Sequence, residues 1–406
     1  VRILFVTLED ISLHKGSSTH IREKVAAFRR RGHRVIVVAG FEGNIDLDDV
    51  RNIGSIRKKG AGLSYFALAV VFMRLLFQVL KNSRDTDLIY VREPVAAFAT
   101  VLTRPIHRLK IIHEVNSLDN EEIRMKGNTL AIRLAYRIVS ALQHINAKFS
   151  DRIVVITERV KAYYHENYGV PENRIKVLGV TTDPEKFHPI PHADDDADAG
   201  PLKLLRRNLG IPEEAFLVSF IGNLAHWQDF DLFFDAAEMV IAKNPNVYFV
   251  ITGEGSQKQW VEAAISQKRL EEKILLTGGV PHSRIALHIN ISDVCIALCK
   301  ELASGYSPMK LFEYFACGKP VVATRVGGYE IVESANAGKL VDGGDAEGFA
   351  SAILALADNG ELRRECGENA LKFAGDNFGW DRVISQIETL FEEIAPAAPA
   401  DERKTP

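Results

Sequence analysis

The sequence predicts an α/β protein with parallel sheets, divided into two domains. Short β-branched runs alternate with amphipathic segments along the whole chain, the pattern of strands crossing over through helices. The opening reads strand, Gly-bearing loop, helix, strand, a βαβ unit that favours parallel pairing. A length of 406 residues exceeds what a single core ordinarily holds.

In chain order, residues 1–7 read as the first buried strand, where a signal peptide would show a different pattern. Residues 8–18 read as a long polar loop containing Gly16. A helix over 19–31 stops at Gly32 and leads to a second strand at 33–39. Residues 63–80 form an apolar helical segment whose few polar residues, Ser64, Arg74 and Gln78, share one face. Arg74 and Gln78 make it a poor spanning helix. It is either a helix covering the sheet or, with the basic cluster Arg57-Lys58-Lys59 before it, a membrane-docking element. Further strands are expected at 87–92, 109–116, 150–157 and 175–183, with a helix at 158–168 ending at Gly169.

Residues 189–201 have the Pro/Ala/Asp composition of an exposed linker. Asp194-Asp195-Asp196 within it reads as a solvated charge run, and no metal site is expected. The alternation resumes with strands at 217–222, 247–255, 274–279 and 294–298. A loop, a helix at 308–316, a stop at Gly318 and a strand at 321–324 follow. The expected organisation is a first domain over 1–190, a linker at 191–201, a second domain over 202–378, a final helix at 379–394 and a disordered tail at 395–406.

Composition narrows the function. Hydrophobic content of 47% and charged content of 25% suit a globular protein. Residues 1–150 hold 24 Lys and Arg against 14 Asp and Glu, a balance of +10; with −3 for the whole chain, the remainder carries −13. A basic first half points to an anionic partner. No recognition motif supports nucleic acid, which leaves an anionic membrane surface or a phosphorylated acceptor. Four scattered cysteines lack metal-ligand spacing, and Cys295 and Cys299, in or beside an apolar run, read as packed thiols in a reducing, cytoplasmic setting.

The chemistry concentrates at residues 304–324. A loop feeding a helix N-terminus presents unpaired N–H groups and the positive end of a dipole, which suits phosphate. Lys310 and Glu313, three apart, share a helical face. A cation for phosphate beside a carboxylate for sugar hydroxyls would suit a nucleotide sugar; the same residues also fit an ordinary helix with two solvated charges. At strand ends, His113, Glu114 and Asn116 fall where open α/β sheets bind ligands, though alternation forbids all three from sharing a face.

The string Ser307-Pro308-Met309-Lys310-Leu311-Phe312-Glu313, continuing through Gly318-Lys319-Pro320-Val321-Val322-Ala323-Thr324, resembles the donor-site signature of glycosyltransferase family 4. These are retaining enzymes of the GT-B fold, and the similarity runs from Ile3 to about Trp380. The resemblance implies two Rossmann-like domains with a cleft between them, and a last helix returning to the first domain. It implies metal-independent transfer from a nucleotide diphosphate sugar to a glycan or lipid-linked acceptor, with no further cofactor. Donor contacts carried over are Gly16, Ser17, Gly222, Asn223, Gly253, Gly279, Val280, Ser307, Pro308, Met309, Lys310, Leu311 and Glu313.

The catalytic set carried over is Lys310 with His113 or Asn116, either of which fits the family's histidine position. Three departures stand out. Gly305 replaces the first of the family's paired glutamates, and a single Gly16 replaces the usual glycine pair. The segment 223–230 also lacks the family's two phosphate cations. An epimerase or hydrolase of the same fold, or a nucleotide-sugar-binding protein without catalysis, remains an alternative on sequence alone.

Overall fold

A computed structural model describes residues 1–13, 16–45, 47–54, 65–125, 127–179, 181–191, 200–302, 305–306 and 308–394. The chain forms two compact units. One comprises Val1–Val180 and the segment from Trp380, the other Thr181–Gly379.

The first unit contains β1 (Arg2–Asp10), α1 (Gly16–Arg30), β2 (Arg34–Gly40), β3 (Val50–Asn52), α2 (Tyr65–Asn82), β4 (Leu88–Arg92) and α3 (Pro94–His107). It continues with β5 (Lys110–Val115), α4 (Asp119–Met125), α5 (Leu130–Phe149), β6 (Arg152–Val155), α6 (Glu158–Tyr168) and β7 (Ile175–Val177). The strands form one sheet in the order β3-β2-β1-β4-β5-β6-β7. Every pairing is parallel, which requires the helical crossovers.

Strand alternation gives this sheet two apolar faces. Ile3, Phe5, Tyr90 and Ile112 pack with α1 and with α15 (Trp380–Ile394), while Leu4, Val6, Ile89 and Ile111 pack with α2 and α3. The last helix is therefore part of the first unit's core. Phe28 stacks on Phe391, and Glu388 receives Arg31 at 2.5 Å and His33 at 2.8 Å.

The second unit contains α7 (Pro201–Asn208), β8 (Phe216–Ile221), α8 (Phe230–Lys243), β9 (Val247–Thr252), α9 (Lys258–Gln267), β10 (Ile274–Gly278) and α10 (Ile285–Asn290). Then come β11 (Val294–Ala297), α11 (Met309–Ala316), β12 (Val321–Thr324), α12 (Ile331–Ser334), β13 (Gly338–Val341), α13 (Ala346–Asp358) and α14 (Gly360–Asn377). Its sheet runs β10-β9-β8-β11-β12-β13, again all parallel.

Several boundaries differ from expectation. β1 runs on to Asp10 and α1 starts at Gly16, so the polar loop is shorter than residues 8–18 and Gly16 opens the helix. Asn116 lies just beyond β5, and Pro308 caps α11 from outside the helix. Residues 181–190 pack with the second unit: Phe187 joins its core, and Ile190 N–H donates to Asn290 at 2.9 Å. All four cysteines are buried free thiols. Arg57-Lys58-Lys59, Asp194-Asp195-Asp196, Ser307 and the 395–406 tail lie outside the described residues.

Candidate functional site

In the second unit, β8 lies between β9 and β11, so chain direction around the sheet reverses there and a crevice opens at the strands' carboxyl ends. The backbones after β8 and β9 approach closely: a Cβ on Gly253 would lie 1.8 Å from the Gly222 carbonyl oxygen. Only glycine permits that spacing. α11 is held against the end of β8 by Tyr314, whose buried hydroxyl accepts from Ile221 N–H at 3.0 Å and donates to Ile221 C=O at 3.1 Å. Leu311, Tyr314 and Phe315 form the helix's buried face.

Lys310 therefore points away from that face toward Gly222. Its Nζ lies 4.5 Å from the centroid of the Phe220 ring and 3.4 Å from Gln228 Oε1. A Cβ on Gly222 would crowd it at 3.2 Å. Among the described residues no carboxylate is within ion-pair distance of Lys310. Burial lowers its pKa, with Cys299 and Glu313 pulling weakly the other way. Gln228 Oε1 also faces Cys299 Sγ at 3.5 Å, and that thiol meets Tyr329 OH at 3.3 Å. Gln228 is thus a member of this site that the sequence analysis did not single out.

Glu313 sits one turn further along α11, 3.6 Å from His282 Nε2. His282 packs edge-on against Phe187. Gly279 N–H donates to Glu254 Oε1 at 3.1 Å, and Lys258 pairs with the same carboxylate at 2.7 Å. The backbone donor of Gly279, carried over as a donor contact, is therefore engaged by Glu254. Asn223 is exposed beside Gly255, and Met309 is half-buried. Leu311 is fully buried in the core, one residue round the helix from Lys310, so its side chain supports α11 and only its backbone could meet a ligand.

The first unit places Ser17 at the start of α1, its hydroxyl donating to Glu9 Oε1 at 2.7 Å. His113 and Glu114 diverge, as alternation requires. Glu114 is buried among Lys24, Tyr90 and Arg92; it bonds Lys24 and Tyr90 closely, and Arg92 Nε lies 3.3 Å away. Burial alone would raise the Glu114 pKa, but Lys24, Arg92 and His20 outweigh it and hold the carboxyl well below its usual range. Asn116 extends the cluster: with its amide oriented to satisfy both ends, it donates to Glu114 Oε1 at 3.0 Å and accepts from Arg92 Nε at 2.9 Å.

His113 faces a recess of about 40 Å³ shared with Glu93, Asn116, Asp119 and Tyr164. Burial lowers its pKa to about 4, so the ring is neutral near pH 7. Its Nδ1 and the Tyr164 hydroxyl are buried without a hydrogen-bond partner among the described residues. Burial, with Glu122 and Glu93 nearby, raises Asp119 to about 7. Glu93 follows β4 with φ +56°, a strained value for a side chain of this size. Its carboxylate holds that turn by accepting from Thr7 Oγ1 at 2.9 Å and Leu8 N–H at 3.0 Å.

Among the described residues no three His, Cys, Asp or Glu side chains group as metal ligands. A larger recess, about 240 Å³ between α8 and α9 around Trp260, contains none of the residues named above.

Two wound parallel sheets, one carrying an unpaired cation at a helix start beside its topological switch point, define a nucleotide-binding α/β architecture. The sequence model of glycosyltransferase family 4 matches residues 14–186, and that of the glycosyl transferases group 1 matches residues 203–373. A D-inositol 3-phosphate glycosyltransferase 2 of Catenulispora acidiphila is 25% identical over 295 residues, 69% of this chain and 64% of that protein. An N-acetyl-alpha-D-glucosaminyl L-malate synthase of Bacillus anthracis is 25% identical over 191 residues, 47% of this chain and 49% of that one. The chain thus matches between about half and two thirds of the length of these two relatives.

Among solved structures, Anabaena HepE in complex with UDP and glucose superposes with a TM-score of 0.73 at 17% identity, covering 97% of this chain and 99% of that one. WaaG, a glycosyltransferase involved in lipopolysaccharide biosynthesis, gives 0.71 at 15%, covering 97% and 100%. The fold is GT-B, with two Rossmann-like domains. The chain belongs to the family 4-like glycosyltransferases, the glycosyl transferases group 1.

Proposed function

We propose that the protein transfers a sugar from a nucleotide diphosphate sugar to a glycan or lipid-linked acceptor, with retention of configuration and without a metal. The observation that carries this reading is Lys310, a cation on the first turn of α11 with an amide and an aromatic ring as neighbours and, among the described residues, no carboxylate within ion-pair distance. A departing diphosphate supplies the missing anion, and fixed amide dipoles at the helix start add to its stabilisation. Glu313, one turn along the same face, binds the nucleotide's ribose. Gly222, Gly253 and the α11 start frame the phosphates, while His113 or Asn116 serves the reacting carbon. Front-face attack follows, with the leaving phosphate accepting the acceptor's proton. The basic balance of residues 1–150 supports attachment to an anionic membrane on the cytoplasmic side.

A second reading of the acceptor, a small anion, is favoured by the two relatives whose names carry D-inositol 3-phosphate and L-malate. Anomeric analysis of the product with EDTA present tests the mechanism. Inversion, or complete loss of rate under chelation, refutes it. An acceptor screen with and without a phosphate or carboxylate separates the two acceptor readings.

A further inference from the structure

The helices on one face of the first unit's sheet carry an unusual surface. Met73 and Phe77 on α2, Leu102 and Ile106 on α3, and Leu130, Leu134 and Ile138 on α5 are between 51% and 77% exposed. On each helix these residues recur four apart, so they form stripes on the outward side. The stripes belong to one layer: Phe72 of α2 stacks on Phe98 of α3 at 6.4 Å, and Asn146 of α5 donates to Pro94 C=O of α3 at 2.8 Å. Monomeric proteins seldom leave so many large apolar side chains side by side in water.

The charges that these three helices themselves carry have one sign. α2, α3 and α5 contain no Asp or Glu in their sequences. Arg133 and Arg137 border the α5 stripe, Arg108 caps α3, and Lys148 lies near the end of α5. None of these four has a carboxylate within ion-pair distance among the described residues. Arg104 and Lys110 do, both meeting Asp151. Apolar stripes flanked by unpaired cations match a lipid interface with anionic headgroups: the stripes enter the acyl boundary while the arginines reach the phosphates. A second copy of the chain fits poorly, because a two-fold contact would set Arg133 and Arg137 against a partner face without acids. No helix among the described residues is long and apolar enough to cross a membrane, in keeping with a face that lies on the surface.

We infer that the outer face of α2, α3 and α5 docks on an anionic lipid surface. This places the contact on α2, α3 and α5 rather than on the basic cluster Arg57-Lys58-Lys59; it deepens the membrane attachment proposed above and does not depend on the donor chemistry.

The test is sedimentation of the full chain with phosphatidylcholine vesicles, with and without phosphatidylglycerol, at low and physiological salt. The wild type pellets with phosphatidylglycerol vesicles and is partly released by salt. Arg133→Gln with Arg137→Gln weakens binding about thirty-fold, the effect of removing two surface cations. Leu134→Ser with Ile138→Ser weakens it at least about tenfold through lost apolar burial. Because all four side chains are exposed, both variants keep the wild-type melting temperature and UDP affinity. Three results overturn the inference: no pelleting of the wild type, wild-type binding by either variant, or loss confined to neutralising Arg57, Lys58 and Lys59. A solution dimer that Leu134→Ser with Ile138→Ser dissociates, without vesicle binding, assigns the face to a second copy instead and also overturns it.

Discussion

Replacing Lys310 with Met separates a binding charge from a structural one. In the free protein the ammonium is largely withdrawn from water, with Gln228 Oε1 at 3.4 Å and the Phe220 ring at 4.5 Å as its compensation. The ring contact is worth about 0.5–1 kcal/mol, and the long neutral amide contact adds little. Desolvation works in the opposite direction, which is why the pKa is lowered. Methionine keeps the stem and the ring packing while removing the desolvated charge. Folding stability should therefore stay within about 1 kcal/mol of wild type. Binding responds differently, because a hydrogen bond to a charged group is worth about 1.5–3 kcal/mol, or about 10- to 150-fold in Kd. Isothermal titration with UDP and with uridine, beside thermal unfolding of the ligand-free protein, reads both quantities. UDP affinity should fall by that factor while uridine affinity holds. A loss of more than about 2 kcal/mol in stability, or unchanged UDP affinity, would refute the assignment.

Two further outcomes follow from the same geometry. Gly253→Ala should destabilise the second unit by about 3 kcal/mol or more, because its Cβ would meet the Gly222 carbonyl oxygen at 1.8 Å, backbone against backbone; denaturant unfolding measures it, and a neutral result contradicts the close approach. The acid-side stability of the first unit should depend on two opposed groups. His113, lowered to about 4, contributes stability that is full above its unfolded pKa near 6.5 and is lost as pH falls toward 4, about 3 kcal/mol in all. Asp119, raised to about 7, contributes stability that is full below its unfolded pKa near 3.8 and is lost as pH rises through 7, by a smaller amount because part of its surface remains accessible. Asp119→Asn removes the second contribution, so urea unfolding should show a steeper loss of stability between pH 6.5 and 4 than in wild type. An identical pH profile would count against this pair.

The parallel strands were legible because a strand buried on both faces leaves an uninterrupted β-branched run, as at Val35–Ala39 and Val321–Thr324. The short edge strands β3 and β13 escaped because Val50–Asn52 and Gly338–Val341 carry too few apolar residues to signal a period. Lys310 and Glu313 were legible because helical spacing alone puts them together. The Glu114 cluster was only half legible. Alternation correctly separated Glu114 from His113, but nothing local links Lys24, Tyr90, Arg92 and Glu114. Their assembly depends on β1, β4 and β5 being adjacent and in register, with Arg92 opposite Glu114 and Phe5 opposite Tyr90. The left-handed Glu93 was invisible, since no residue type announces a strain held by Thr7 and Leu8 from another strand.

The two units use buried charge in opposite ways, and the contrast sorts structural from functional groups. Glu114 is saturated: Lys24, Tyr90, Arg92 and Asn116 take up its oxygens. Breaking such a cluster by removing one member leaves an uncompensated charge and costs about 3–5 kcal/mol. A saturated cluster has no capacity left for a ligand, and its consequence is positional: it fixes Asn116 at the end of β5. Lys310 is unsaturated, with a long amide contact and a ring where Glu114 has cations and hydroxyls. A desolvated ammonium in that condition has donor capacity left, and a bound anion would add charge-assisted hydrogen bonds to it. The first unit's buried charges hold a geometry, and the second unit's buried charge has the capacity that the proposed function assigns to a diphosphate.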